Sequence, residues 1–152
     1  MNATIAQHDQ DFYTWAKQNA QLLRSGQVEE ADWEHIAEEL EDMSGSRESE
    51  LESRLGVLLA HLLKWVYQPE RQGKSWIATI IEQRRRVKRV LKKNPGMKSY
   101  LQEAFENAYG DGRLIASRET GLEEETFPEE SPFTLEQTLD DDFWPNADHY
   151  KR

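Results

Sequence analysis

The 152-residue chain carries 19 basic and 29 acidic side chains, a formal net charge of −10, and no cysteine. This excludes a disulfide framework and thiol chemistry, and no apolar run approaches the roughly 20 residues of a membrane span. Length and a hydrophobic content of 37% predict one soluble domain with a substantial core. Residues 1–10 are polar and lack the apolar segment of a signal peptide, so the expected location is the cytoplasm.

Asp9 or Asp11 is placed to cap a first helix, whose face is Phe12, Trp15, Ala16, Leu22 and Leu23. Asn19 interrupts that face, and Ser25-Gly26 ends it. A second helix is expected over 29–43, with Trp33, Ile36, Ala37, Leu40 and Met43 in phase. Ser44-Gly45-Ser46 is then either a turn or an interior point of one long helix, because Gly costs only about 1 kcal/mol inside a helix. Residues 51–66 are the densest apolar stretch. Leu51, Leu55, Leu58, Leu59, Leu62, Leu63 and Val66 recur at helical spacing, and from 55 to 66 only His61 and Lys64 are strongly polar. A helix apolar on most of its circumference is packed on several sides, so 51–66 is expected at the centre.

Pro69 ends that helix by biasing Gln68 away from helical dihedrals. Ser75 is the expected cap of a fourth helix with Trp76, Ile77, Ile80, Ile81, Val87, Val90 and Leu91 in phase, stopped by Asn94-Pro95-Gly96. A fifth runs from Met97 to about Thr120, with a kink expected at Gly110 and Gly112 and a stop at Gly121. The acidic segment 123–133 contains Pro128 and Pro132 and reads as irregular. Thr134 to Gln137 has the form of a capping box and opens a short helix. Phe127, Phe133, Leu135, Leu139, Phe143 and Trp144 are too many large apolar groups for a free tail. The predicted architecture is all-α: about five main helices around 51–66, closed by an irregular acidic C-terminal wrap containing a short helix. In a single domain, 9–121 would form the bundle, 122–145 the wrap and 146–152 a frayed tail.

Several stretches occur together in a familiar order. They are Ile36 to Met43 (IAEELEDM), His61 to Trp65 with Tyr67-Gln68-Pro69-Glu70, and Ser75-Trp76 followed by Ile80 to Arg84. The opening Asp9-Gln10-Asp11-Phe12-Tyr13-x-Trp15 and the closing Thr120-Gly121-Leu122, Phe127-Pro128 and Ser131-Pro132-Phe133-Thr134 extend the pattern. Over residues 9–145 the chain resembles the bacterial, largely cyanobacterial, domain-of-unknown-function family twenty-nine. The resemblance implies a small all-helical cytoplasmic protein and brings no catalytic residues with it. The family often has cysteine before the equivalent of Pro132; here the residue is Ser131, which speaks against a thiol or metal role for that turn.

Three constellations are candidate sites. Arg84 falls on the apolar stripe of its own helix, and an inward guanidinium needs a carboxylate and further acceptors or costs several kcal/mol. Glu38 and Glu39 beside the second stripe, with His61 on the central helix, complete a candidate polar cluster: a structural network, or a small pocket for an anionic ligand. Asp32, His35, Glu39 and Asp42 share one helix edge, but no paired Glu-x-x-His motif accompanies them, so they read as a solvated acidic edge and no metal or other cofactor is expected.

The third candidate is the basic run containing Arg85, Arg86, Lys88, Arg89, Lys92 and Lys93. Net charge is −9 over 1–70, +8 over 71–118 and −9 over 119–152, so this run can be neutralised internally or offered to an acidic partner. An acidic protein disfavours nucleic acid as that partner. No nucleophile constellation or phosphate-binding glycine loop is visible. The leading expectation is a non-enzymatic interaction or adaptor domain with an unknown protein partner; the competing one is a ligand-binding or enzymatic domain with a pocket at Glu39, His61 and Arg84.

Overall fold

The computed structural model describes residues 5–150, which contain five α-helices, α1 (Phe12–Arg24), α2 (Trp33–Tyr67), α3 (Lys74–Lys93), α4 (Leu101–Thr120) and α5 (Leu135–Leu139), and no strand. The protein is therefore all-α, as its periodicity predicts. The described residues form two compact units, one up to Gly45 and one from Ser46.

In the first unit, Asp11 caps α1 by accepting from the Thr14 amide at 3.1 Å. Gly26, with φ +81°, turns the chain after α1. Residues Val28–Glu30 form a single 3-10 turn, so the second helix starts at Trp33 rather than at 29. It then runs unbroken through Ser44-Gly45-Ser46 to Tyr67, which resolves the two alternatives in favour of one long helix. The stripe expected to be core on 33–43 is largely in water: Trp33 is 51% exposed, Leu40 59% and Met43 62%.

The second unit is built around the expected rod. Leu51, Leu55, Leu58, Leu59, Ala60, Leu62, Leu63 and Val66 are all at 0% exposure. Each fully buried leucine is worth roughly 2 kcal/mol of transfer free energy, so this one helix supplies a large share of the driving force. Ile80, Val87, Val90 and Leu91 of α3 and Ala104, Phe105, Ala108 and Ala116 of α4 complete the core.

Two boundaries differ from expectation. Gly73, not Ser75, is the N-cap of α3, and Ser75 lies in its first turn. Pro95–Ser99 is a 3-10 segment, so α4 begins at Leu101 instead of Met97. Gly110 and Gly112 do not break α4. Gly112 is the point of closest approach to α2: a Cβ there would stand 3.1 Å from the Gly56 carbonyl oxygen, 3.2 Å from Leu59 Cβ and 3.3 Å from the Ala60 amide nitrogen. Gly121, at φ +78°, stops α4 in the left-handed cap its position predicts.

The C-terminal wrap closes over this core. Phe127 and Phe133 are 2% exposed and Thr138 is fully buried. Tyr67 meets Phe127 edge-on at 5.2 Å and Trp65 lies 5.1 Å from Trp144. Thr134 forms both halves of the capping box that opens α5. Beyond it, Ala147–His149 is one 3-10 turn and Tyr150 packs 5.3 Å from Phe133, so the segment expected to fray is folded as far as Tyr150; residues 151–152 lie outside the described ones.

Candidate functional site

Arg84 is buried, as its place on the α3 stripe implies, but its partners are not carboxylates. Nε donates to the Thr138 carbonyl at 2.9 Å, and Nη2 to the carbonyls of Phe143 at 2.7 Å and Gln137 at 3.4 Å. Two of these acceptors lie at the end of α5, where carbonyls lack helical partners; the Gln137 carbonyl also accepts from the Asp140 amide at 3.2 Å. The guanidinium carbon lies 5.5 Å from the Trp144 ring centre. Burial lowers the Arg84 pKa, and Asp141 and Asp140 act in the opposite sense.

His61 is half-buried, and its Nδ1 donates to the Val57 carbonyl at 2.8 Å within its own helix. Burial lowers its pKa, which favours the neutral imidazole. Glu38 is exposed. Glu39 belongs to the first unit, where its carboxylate bonds His8 at 2.5 Å. Arg84, His61 and Glu39 thus have three different sets of partners and share none.

A second arginine does the same work as Arg84. Arg113 on α4 donates through Nη2 to the carbonyls of Glu124 at 3.0 Å and Phe127 at 3.2 Å. Tyr109 adds a bond of 2.5 Å to the Pro128 carbonyl. The start and the end of the wrap are therefore each held by a guanidinium on main-chain oxygens. Nothing in residue spacing marks Arg113, because its acceptors are backbone.

Sequence spacing also gives no sign of the ion pair at the end of α2. Lys64, only 6% exposed, bonds Glu119 at 2.8 Å and lies 4.9 Å from the Trp76 ring centre. Lys64 holds the Glu119 carboxyl below its ordinary 4.5, chiefly through that hydrogen bond. A depressed folded-state pKa gives stability that is present above about pH 4.5 and lost as pH falls through the folded value. Glu119 is partly exposed, so Glu119→Gln is expected to cost about 1 kcal/mol at pH 7. Urea titrations at pH 7 and pH 3 check this: the gap between wild type and variant closes at the lower pH.

The basic run lies along α3. Arg85, Lys88, Arg89, Lys92 and Lys93 are exposed and Arg86 is half-buried. Only two of the six are paired: Arg86 with Glu82 at 2.8 Å and Lys88 with Asp141 at 2.9 Å. Arg85, Arg89, Lys92 and Lys93 have no ion-pair partner among the described residues. The internal neutralisation suggested by charge patterning is therefore partial. Ala78, Ile81, Glu82, Arg85, Arg86 and Arg89 line a shallow depression on this face, where Ile81 is 36% exposed.

In the first unit the acidic edge of α2 is joined by a residue from outside it. His8 stacks on His35 with ring centres 4.5 Å apart and an interplanar angle of 15°. Its Nδ1 faces Asp9 at 2.7 Å and its Nε2 faces Glu39 at 2.5 Å. These two carboxylates, Glu39 foremost, raise its pKa above the ordinary 6.5. His35 Nδ1 bonds Asp32 at 2.7 Å, and the same oxygen accepts from Trp15 Nε1 at 2.9 Å. Trp15 Nε1 is the chief cause that holds the Asp32 carboxyl below its usual range. Asp42, expected on the same edge, is exposed.

An all-α protein with arginine-anchored termini of the wrap and a bare cationic helix is what these observations define. The family model for the domain of unknown function DUF29 matches residues 7–144, and the chain belongs to that family. No curated protein and no solved structure matches it. Among the described residues, no helix is long and apolar enough to cross a membrane.

Proposed function

We propose that the protein is a non-enzymatic interaction domain that docks an acidic, amphipathic segment of a partner protein on the outer face of α3. One observation carries this reading. Four cations, Arg85, Arg89, Lys92 and Lys93, stand exposed and have no ion-pair partner among the described residues, in a protein with 29 acidic residues. The exposed Ile81 and Ala78 beside them give a partner helix an apolar seat, and the cations give it register. A net charge of −10 repels any anion at long range, and a polyanionic duplex far more than a short amphipathic segment with few acidic residues, which favours the protein segment over nucleic acid.

The test is fluorescence anisotropy with two probes, a labelled helical peptide of Glu and Leu at i, i+3, i+4 spacing and a labelled random-sequence DNA duplex. Wild type is expected to bind the peptide, with affinity falling as salt rises. The triple variant Arg85→Glu, Arg89→Glu, Lys93→Glu should bind it at least tenfold more weakly. Tighter binding of the duplex, lost in the same variant, would move the assignment to nucleic acid; binding of neither probe would end it.

A further inference from the structure

We infer that His8 and His35, with the Asp9 carboxylate, form a binding site for a divalent transition-metal ion of the zinc class. This site is independent of the α3 face. One ligand atom from each of the three residues lies within 4.8 Å of the others. The donor set, two imidazoles and a carboxylate, is the one that zinc, cobalt and nickel accept.

What distinguishes the cluster from a chance meeting of charged groups is the shell behind it. A metal-binding histidine characteristically gives its other ring nitrogen to a carboxylate, which fixes the tautomer and aims the lone pair. Both imidazoles have that arrangement. Asp32 takes the Nδ1 proton of His35 and leaves its Nε2 lone pair without a hydrogen-bond partner among the described residues. Glu39 takes Nε2 of His8 and leaves Nδ1 toward Asp9.

The shell is itself fixed from inside. Asp32 is held by Trp15 Nε1, and its amide donates to the Asn19 side chain at 2.7 Å. Asn19 is 2% exposed and Trp15 4%. Asn19 in turn donates to the Trp15 carbonyl at 2.9 Å. An asparagine on the apolar face of α1 thus has a stated purpose: it positions the aspartate that orients His35. His8 is seated against Trp15, with ring centres 4.6 Å apart.

Isothermal titration of the full chain with Zn²⁺ tests the site, with Co²⁺ absorption and paramagnetic shifts of the imidazole protons as the second readout. One equivalent of Zn²⁺ is expected to bind and to raise the thermal midpoint. His35→Gln and Asp9→Asn should each weaken binding at least tenfold, and Asp32→Asn should weaken it while leaving all three ligands in place. His149→Gln, remote in sequence and exposed, should change nothing. Co²⁺ should shift the ring protons of His8 and His35 only. Absence of Zn²⁺ binding by folded wild type, or binding that survives His8→Gln with His35→Gln, would overturn the assignment. Circular dichroism of each variant separates loss of the site from loss of the fold.

Discussion

Arg84→Met is expected to destabilise the protein by about 4 kcal/mol, the largest effect of any single substitution on α3. The residue is fully buried. Its removal strands the Thr138 and Phe143 carbonyls, which it bonds at 2.9 and 2.7 Å, and removes the ring contact with Trp144. A buried acceptor left without a donor costs about 1–3 kcal/mol, and two are left here. Methionine keeps much of the volume, so a cavity contributes little. Replacing a buried ion by an apolar group of similar size is sometimes neutral. That exception requires the partners to be replaced as well, and main-chain oxygens cannot be. Urea denaturation measures the loss, and hydrogen exchange locates it: amides of 135–143 should open well before those of 55–66.

Gly112→Leu is expected to cost about 3 kcal/mol, although leucine is the better helix former by about 1 kcal/mol. The first side-chain carbon would already sit 3.1 Å from the Gly56 oxygen and 3.3 Å from the Ala60 nitrogen. Both are backbone atoms of the most buried helix, so neither yields as a flexible side chain would. Overpacking of this kind costs about 1–3 kcal/mol or more, and it exceeds the propensity gain. Gly110 supplies the control. A Cβ there meets nothing within 4 Å, and the residue is exposed. Gly110→Ala should therefore stabilise by up to about 1 kcal/mol. Thermal denaturation of the two variants should shift in opposite directions; a fall for both would contradict this reading of the two glycines.

The same pair of glycines shows what periodicity carries and what it omits. A glycine in a helical pattern signals bend, fray or close approach alike, and only the neighbouring helix decides among them. The leucine rod was legible because burial on all sides leaves no polar face. The inward direction of Arg84 was legible for the same reason, from its phase with Ile80 and Val87. Its acceptors were not, because every residue has a carbonyl and none is marked in the sequence. Arg113 was missed on that account.

The stripe on 33–43 misled in a different way. Amphipathic spacing predicts a face able to be buried, and Trp33, Leu40 and Met43 have that spacing yet stand in water. His8 precedes the Asp11 cap, and residue spacing gives it no partner. A turn closed by the Asp11 and Gln10 amides on the Gln7 carbonyl returns it to α2. Glu39 does not show in sequence that its partner, His8, lies in that turn.

The docking surface on α3 is the central functional claim, and chemical-shift mapping addresses it most directly. Uniformly ¹⁵N-labelled protein is titrated with the Glu/Leu helical peptide at low salt. The largest amide shifts should fall between residues 78 and 93 and should vanish in the Arg85→Glu, Arg89→Glu, Lys93→Glu variant. Shifts concentrated on 33–43, or no shifts anywhere at millimolar peptide, would contradict it.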